Sequence, residues 1–348
     1  LTYRHGRSAK CNDGAIRDIK ISERFLRLPE EVSMRNLFRL MILGTAVVSL
    51  GLAALGQGAA AQQDGVPISV TVTVSGKGGK TAPAIPQDEV VARQDGTPRR
   101  VISWVPANGN GAGVDLVVLV DEKLGSNIAN RWSEMRDFLR AQPASIREGI
   151  AYSDFGAARF EQELTTDHEK AAGALRIPNP TRGGNTGLYD SGRDLIANWP
   201  GSGGRKVVVL ISDGQDLSDG ASDTDPDRNI SLQRLIDKAQ QAGVVFYAIY
   251  ARGGGDEPED TRLLNNAQGS LARLARETGG ASFFDGFTSP VTLQPYLQEI
   301  ARQLGEQYIL TFEAKTAKKA DYSPLKVVVE TKNVEVHAPD RVYVPAAN

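Results

Sequence analysis

Only one cysteine, Cys11, occurs in the 348-residue chain, and it precedes a stretch laid out like a secretory signal. The chain beyond that signal therefore has neither a disulfide framework nor a cysteine-based zinc site. Histidine is almost as scarce: His5 lies near the start, His168 ahead of a short helical pattern and His337 in a β-patterned tail. Three scattered imidazoles suggest no Ser-His-Asp set. Positive charge shows no excess either, with 40 Lys and Arg against 42 Asp and Glu. A chain so balanced lacks the basic patch that neutralises a phosphate backbone, so no nucleic-acid partner is expected.

The apolar stretch at residues 40–55 is shorter than the roughly 20 residues that span a bilayer. It comes after Met34, Arg35 and Arg39 and precedes Ala59-Ala60-Ala61, the order of a charged region, a hydrophobic region and a small-residue cleavage site. Residues 34–61 are thus expected to be a signal peptide cleaved after Ala61. Residues 1–33 are expected to be a gene-start artefact or leader. The mature protein would be secreted or periplasmic and would meet the membrane only during export. No cysteine comes after the hydrophobic region to carry a lipid.

Beyond the signal the patterning changes twice. Ile68, Val70, Val72 and Val74 alternate with Ser69, Thr71 and Thr73, and Asp95-Gly96 reads as a hairpin turn, which makes residues 66–107 a β segment. Residues 113–305 alternate apolar strand runs with helical patterns. One helix is expected to carry Ile128, Trp132, Met135 and Leu139; a second, opened by a Thr166/Glu169 capping box, to run through Leu175; and a third to span 270–278. Residues 306–348 return to β pattern. The expected fold is α/β, a doubly wound, mostly parallel six-stranded sheet of VWA/Rossmann-like type, with a small β-sandwich built from both flanking segments.

The centre of this arrangement is Val-Asp-Leu-Val-Val-Leu-Val-Asp-Glu-Lys-Leu-Gly-Ser at 114–126. A near-continuous Val/Leu run suits a strand covered on both faces, and ligands of open α/β sheets bind beyond the carboxyl ends of such strands. Asp121 stands at that end. A second buried run, 206–212, also ends in aspartate, Asp213, and between them lies the loop Gly184-Asn185-Thr186. Two strand-tip carboxylates and a hydroxyl-bearing loop are the ingredients of a hard-cation site.

These residues resemble the metal site of a von Willebrand factor type A (VWA) domain, and the chain after the signal resembles secreted bacterial VWFA-related proteins. The family pattern is an Asp-x-Ser-x-Ser turn, a later Thr and a later Asp. Asp121, Thr186 and Asp213 match it; Lys123 and Gly125 stand where the serines belong, and Ser126 comes one position late. Three outcomes stay open. Ser126 swings in to complete a Mg or Mn site with Asp121, Thr186 and Asp213; Lys123 replaces the metal by pairing with Asp121 and Asp213; or the site is empty.

The resemblance implies a non-enzymatic protein-binding or adhesion module with a degenerate metal site and an unidentified protein partner. The alternatives are a metal-dependent hydrolase or phosphotransferase, for which Asp121-Glu122-Lys123 lacks the Asp-x-Asp pair, and a structural envelope protein with a decayed site. Asp216, Asp219, Asp223, Asp225 and Asp227 read as a solvated acidic loop, since Arg228 stands where a calcium loop needs glycine. Gly253-Gly254-Gly255 reads as a turn, because no Lys-Ser or Lys-Thr comes after it to make a phosphate loop.

Overall fold

The computed structural model describes residues 65–107, 113–183, 187–201, 203–218, 220, 224–253 and 260–347. The expected signal peptide, Thr186, Asp219 and Asp223 lie outside these residues. Both chain ends build the sandwich. From the amino-terminal side come β1 (Gly65–Gly76), β2 (Val90–Gln94), β3 (Thr97–Arg99) and β4 (Val101–Pro106). The carboxyl-terminal side supplies β11 (Gln307–Lys315), β12 (Asp321–Val329), β13 (Val334–His337) and β14 (Arg341–Val344). One sheet has the order β13-β1-β11-β4 and the other β14-β12-β2-β3, so neither end forms a sheet alone.

The alternation in β1 turns Val72 and Val74 into the sandwich core beside Leu310, Phe312 and Val342. Thr73 and Ser75, on the opposite face, are also buried, because that face abuts the α/β part rather than solvent. Asp95 and Gly96 both adopt positive φ, 50° and 75°, as a two-residue turn between β2 and β3 requires.

Between the two sets of strands lie β5 (Val114–Asp121), β6 (Ile146–Asp154), β7 (Ala157–Thr165), β8 (Arg205–Ser212), β9 (Val244–Tyr250) and β10 (Ser282–Phe283). They form one sheet in the order β10-β9-β8-β5-β6-β7. Neighbours are parallel except β7, which runs antiparallel at the edge. All eight residues of β5 are buried, as its Val/Leu run implies for a central strand.

The helices are α1 (Ser126–Ala129), α2 (Trp132–Arg140), α3 (His168–Gly173), α4 (Pro180–Gly183), α5 (Leu188–Ala197), α6 (Ile230–Ala242), α7 (Thr261–Thr278) and α8 (Gln294–Gly305). Side chains of α1, α2, α3 and α8 pack on one face of the sheet, and those of α5, α6 and α7 on the other.

Three helix expectations are corrected. The pattern through Ile128 and Leu139 is two helices, broken at Asn130 and Arg131, although all four apolar residues are buried as expected. The cap of α3 is Asp167, whose carboxylate accepts from Lys170 N, while Glu169 turns outward to Arg140. Helix α7 starts at Thr261, nine residues before the expected 270, because Asp260 caps it and burial of Leu264 and Ala267 overrides the weak helix formers Asn265, Asn266 and Gly269.

The sandwich meets the α/β part at the amino ends of the parallel strands. There Arg205, first in β8, donates to Ala107 O at 2.6 Å, to Leu304 O and to the Gln307 side chain. The carboxyl ends, where the aspartates stand, face away from this junction.

Candidate functional site

Asp121 ends β5 and Asp213 comes directly after β8, and because these two strands are paired side by side the carboxylates converge. Both are buried, at 3 % and 1 % exposure. Asp121 Oδ1 accepts from Lys123 N at 3.1 Å and Ser153 Oγ at 3.2 Å, and Oδ2 accepts from Ser212 Oγ at 2.7 Å. Burial, reinforced by the neighbouring Asp213 charge, pushes the Asp121 carboxyl up to about 6, against the opposing pull of Ser212 and Lys123.

Lys123 reaches across the turn and places Nζ 2.8 Å from Asp213 Oδ2 and 3.4 Å from Gln215 Oε1. Among the described residues its ion pair is with Asp213 and not with Asp121, so of the outcome in which Lys123 pairs with both aspartates one half is present. Asp213 Oδ1 accepts from Gln215 N; its Oδ2 receives no well-aligned hydrogen bond and relies on the nearby ammonium. Gly253 roofs the pair: a Cβ there would lie 3.2 Å from Asp213 Oδ2 and 3.6 Å from Lys123 Cγ. Ser126 is exposed, and among the described residues its hydroxyl reaches neither carboxylate.

Sequence reasoning missed the side chains that hold this centre. Ser153 and Ser212, from β6 and the end of β8, supply the hydroxyls that the turn does not. Asp216 is no solvated loop residue: it is buried, accepts from Gly187 N, Tyr189 N and Ser218, and so fixes the start of α5. Glu122 is buried too, accepting from Arg176 at 2.6 Å and Asn179 N at 2.5 Å, which pins residues 176–179 beside the site. No local spacing announces partners 54 and 57 positions away; only a charged residue directly after a strand-tip Asp hints at them.

Several apolar side chains are exposed at the same end of the sheet as the aspartates. Among the described residues seven large hydrophobics are exposed, and five of them (Phe155, Ile177, Ile230, Phe284 and Val291) lie in loops or a helix start at the carboxyl end of the sheet. The other two, Ile102 and Val105, are on β4. Phe155 is 65 % exposed and has φ of 46°, while Gly156 has φ of 88°. These two residues form the β6–β7 hairpin turn, whose first position favours Asn or Gly over a bulky aromatic. Gly187 packs against the turn so closely that a Cβ would come within 2.6 Å of Gly156 N.

No protein-family model and no curated protein matches the chain. Among solved structures it is similar to the VWA domain of SpRpn10, at 12% identity over 54% of this chain and 94% of that one, with a TM-score of 0.34. It is also similar to the TFIIH p34 N-terminal domain, at 12% identity over 56% and 99%, TM-score 0.37. A further similarity is to the human COPII-coat protein Sec24c, at 8% identity over 69% and 44%, TM-score 0.38. With five parallel strands and an antiparallel sixth at the edge, the α/β part has a VWA/Rossmann-like fold, with aspartates on the tips of the paired strands β5 and β8.

Proposed function

We propose that the chain is a secreted, non-enzymatic protein-binding module that engages its partner through the carboxyl-end face of the VWA-like sheet. The observation that carries this reading is that five of the seven exposed large hydrophobics among the described residues lie at that end of the sheet, Phe155 among them in a left-handed turn position. Exposed apolar groups gathered at one end of a domain suit a contact surface, and aromatic anchors dominate binding energy at such surfaces. Export is supported by Arg35, Arg39, the apolar stretch 40–55 and Ala59-Ala60-Ala61. No described helix is long and apolar enough to cross a membrane. Against hydrolysis or phosphoryl transfer stands the use of the carboxylates, Asp121 accepting from Ser153 and Ser212 and Asp213 ion-paired with Lys123.

The test is quantitative crosslinking of the purified chain in envelope extracts of its producing organism, beside a Phe155→Ser/Ile177→Ser variant of equal thermal stability. A protein crosslinked by wild type and lost from the variant is the expected result. Equal crosslinking by both, or turnover of a phosphate ester by the purified chain, would overturn the reading.

A further inference from the structure

The VWA resemblance implies a divalent cation between the aspartates, and the residues present do not fit one. A Mg²⁺ or Mn²⁺ centre needs oxygens whose lone pairs face one point in near-octahedral geometry. Asp121 instead turns Oδ1 to Lys123 N and Ser153 and Oδ2 to Ser212. The turn that carries hydroxyl ligands in the family offers an ammonium at Lys123, no side chain at Gly125 and an outward Ser126.

We propose that Lys123 is a resident internal cation that takes the metal's place, so that the face is folded and closed without a divalent ion. The buried Asp213 carboxylate has one oxygen with no well-aligned donor, and an uncompensated carboxylate in such a place is strongly unfavourable. The ammonium at 2.8 Å supplies that compensation. Its own side chain is only 18 % exposed, steadied by Gln215 Oε1 and roofed by Gly253, so its charge stays where a cation is needed. Gly253 has the same meaning: any side chain there would press on the pair. A second cation beside this ammonium would meet like-charge repulsion at contact distance.

The assignment concerns the face proposed above for partner binding but does not depend on it, and it is tested on the isolated protein. Thermal unfolding of wild type is followed in EDTA, in millimolar MgCl₂ and in millimolar MnCl₂, with calorimetric titration of each metal alone. The expected result is one melting temperature under all three conditions and no stoichiometric binding heat. Lys123→Met, nearly isosteric and uncharged, should lower the melting temperature by on the order of 5–10 °C, and Lys123→Arg should recover part of that loss. A wild type raised several degrees by either metal, stoichiometric metal binding, or a Lys123→Met chain as stable as wild type would overturn the proposal. Should the variants not fold, the wild-type titrations decide alone. None of these outcomes touches the crosslinking result, so the two readings fail separately.

Discussion

The guanidinium of Arg176 lies 3.8 Å from the centre of the Tyr152 ring while its Nη2 is 2.6 Å from Glu122 Oε1. One side chain thus joins the tip of β6 to the residue after Asp121. Tyr152 OH completes the joint by donating to Arg176 O and accepting from Arg176 N, each at 2.8 Å. The loop carrying exposed Ile177 is therefore held rigidly beside the aspartates.

Arg176→Ala should cost about 3–5 kcal/mol, because it strands the buried Glu122 carboxylate as well as removing the stacked cation. The double variant Arg176→Ala/Glu122→Gln should recover much of that loss, since the uncompensated charge is gone. Urea unfolding of the four members of this cycle gives the coupling directly.

A second long-range contact fixes α8. Glu134, on α2, accepts with Oε2 from Thr292 Oγ1, Leu293 N and Gln294 N, satisfying orphan donors at the start of that helix. Burial alone would raise its carboxyl, yet these donors hold it below the ordinary carboxylate value. A depressed folded value means that the unfolded chain takes up the proton first. The stabilisation is thus present above the unfolded pKa and is lost as pH falls through the folded one. Glu134→Ala should cost about 1–3 kcal/mol at pH 7 and less in acid, read by urea unfolding at both conditions.

Much of this fold can be read along the chain, and the limits have physical causes. Residues 114–121 announce a central strand because burial on both faces favours apolar side chains, the internal exception Asp115 being paired with Arg147, and Asp121 stands out by ending the Val/Leu run. Lys123 is conspicuous for the same reason, as a charge where hydroxyls are expected. Ser153 and Ser212 are not, since a serine at a strand end is ordinary until the sheet order brings it to Asp121. Asp216 hides among other loop aspartates, and its burial results from the path of the chain before α5 rather than from its neighbours in sequence. Shared sandwich sheets are legible as matching β pattern at both ends, but the pairing of β1 with β11 is a fact of topology.

Glu148 gives the opposite pH dependence. It is fully buried on β6, with Oε2 2.8 Å from His168 Nδ1 and, among the described residues, no hydrogen-bond donor to Oε1. Burial pushes its carboxyl up to about 7, although the His168 contact works against the rise. Raised above the unfolded value, it binds its proton more tightly when folded, so between about pH 4.5 and 7 its contribution to stability declines as pH rises. Glu148→Gln removes that slope. The stability of the variant minus that of wild type should therefore increase from about pH 5 to about pH 7.5 and level off above; a difference that is flat or falls over this interval would contradict the burial argument.

Phe155 separates stability from binding. Its φ of 46° beside Gly156 at 88° is the backbone of a two-residue hairpin turn in which Asn-Gly is the favoured pair. A phenylalanine there carries local strain, and 65 % of it faces water, so neither the turn nor the core gains from its size. Phe155→Asn relieves the strain while leaving β6 and β7 in register, and should raise unfolding free energy by about 0.5–1 kcal/mol. If the aromatic ring is an anchor for the partner, the same substitution should weaken binding by roughly 10-fold or more, on the order of 2 kcal/mol for a hot-spot side chain. Thermal unfolding and crosslinking yield measured on one preparation would show the two effects with opposite signs. A variant that gains stability and keeps full crosslinking would remove Phe155 from the contact surface.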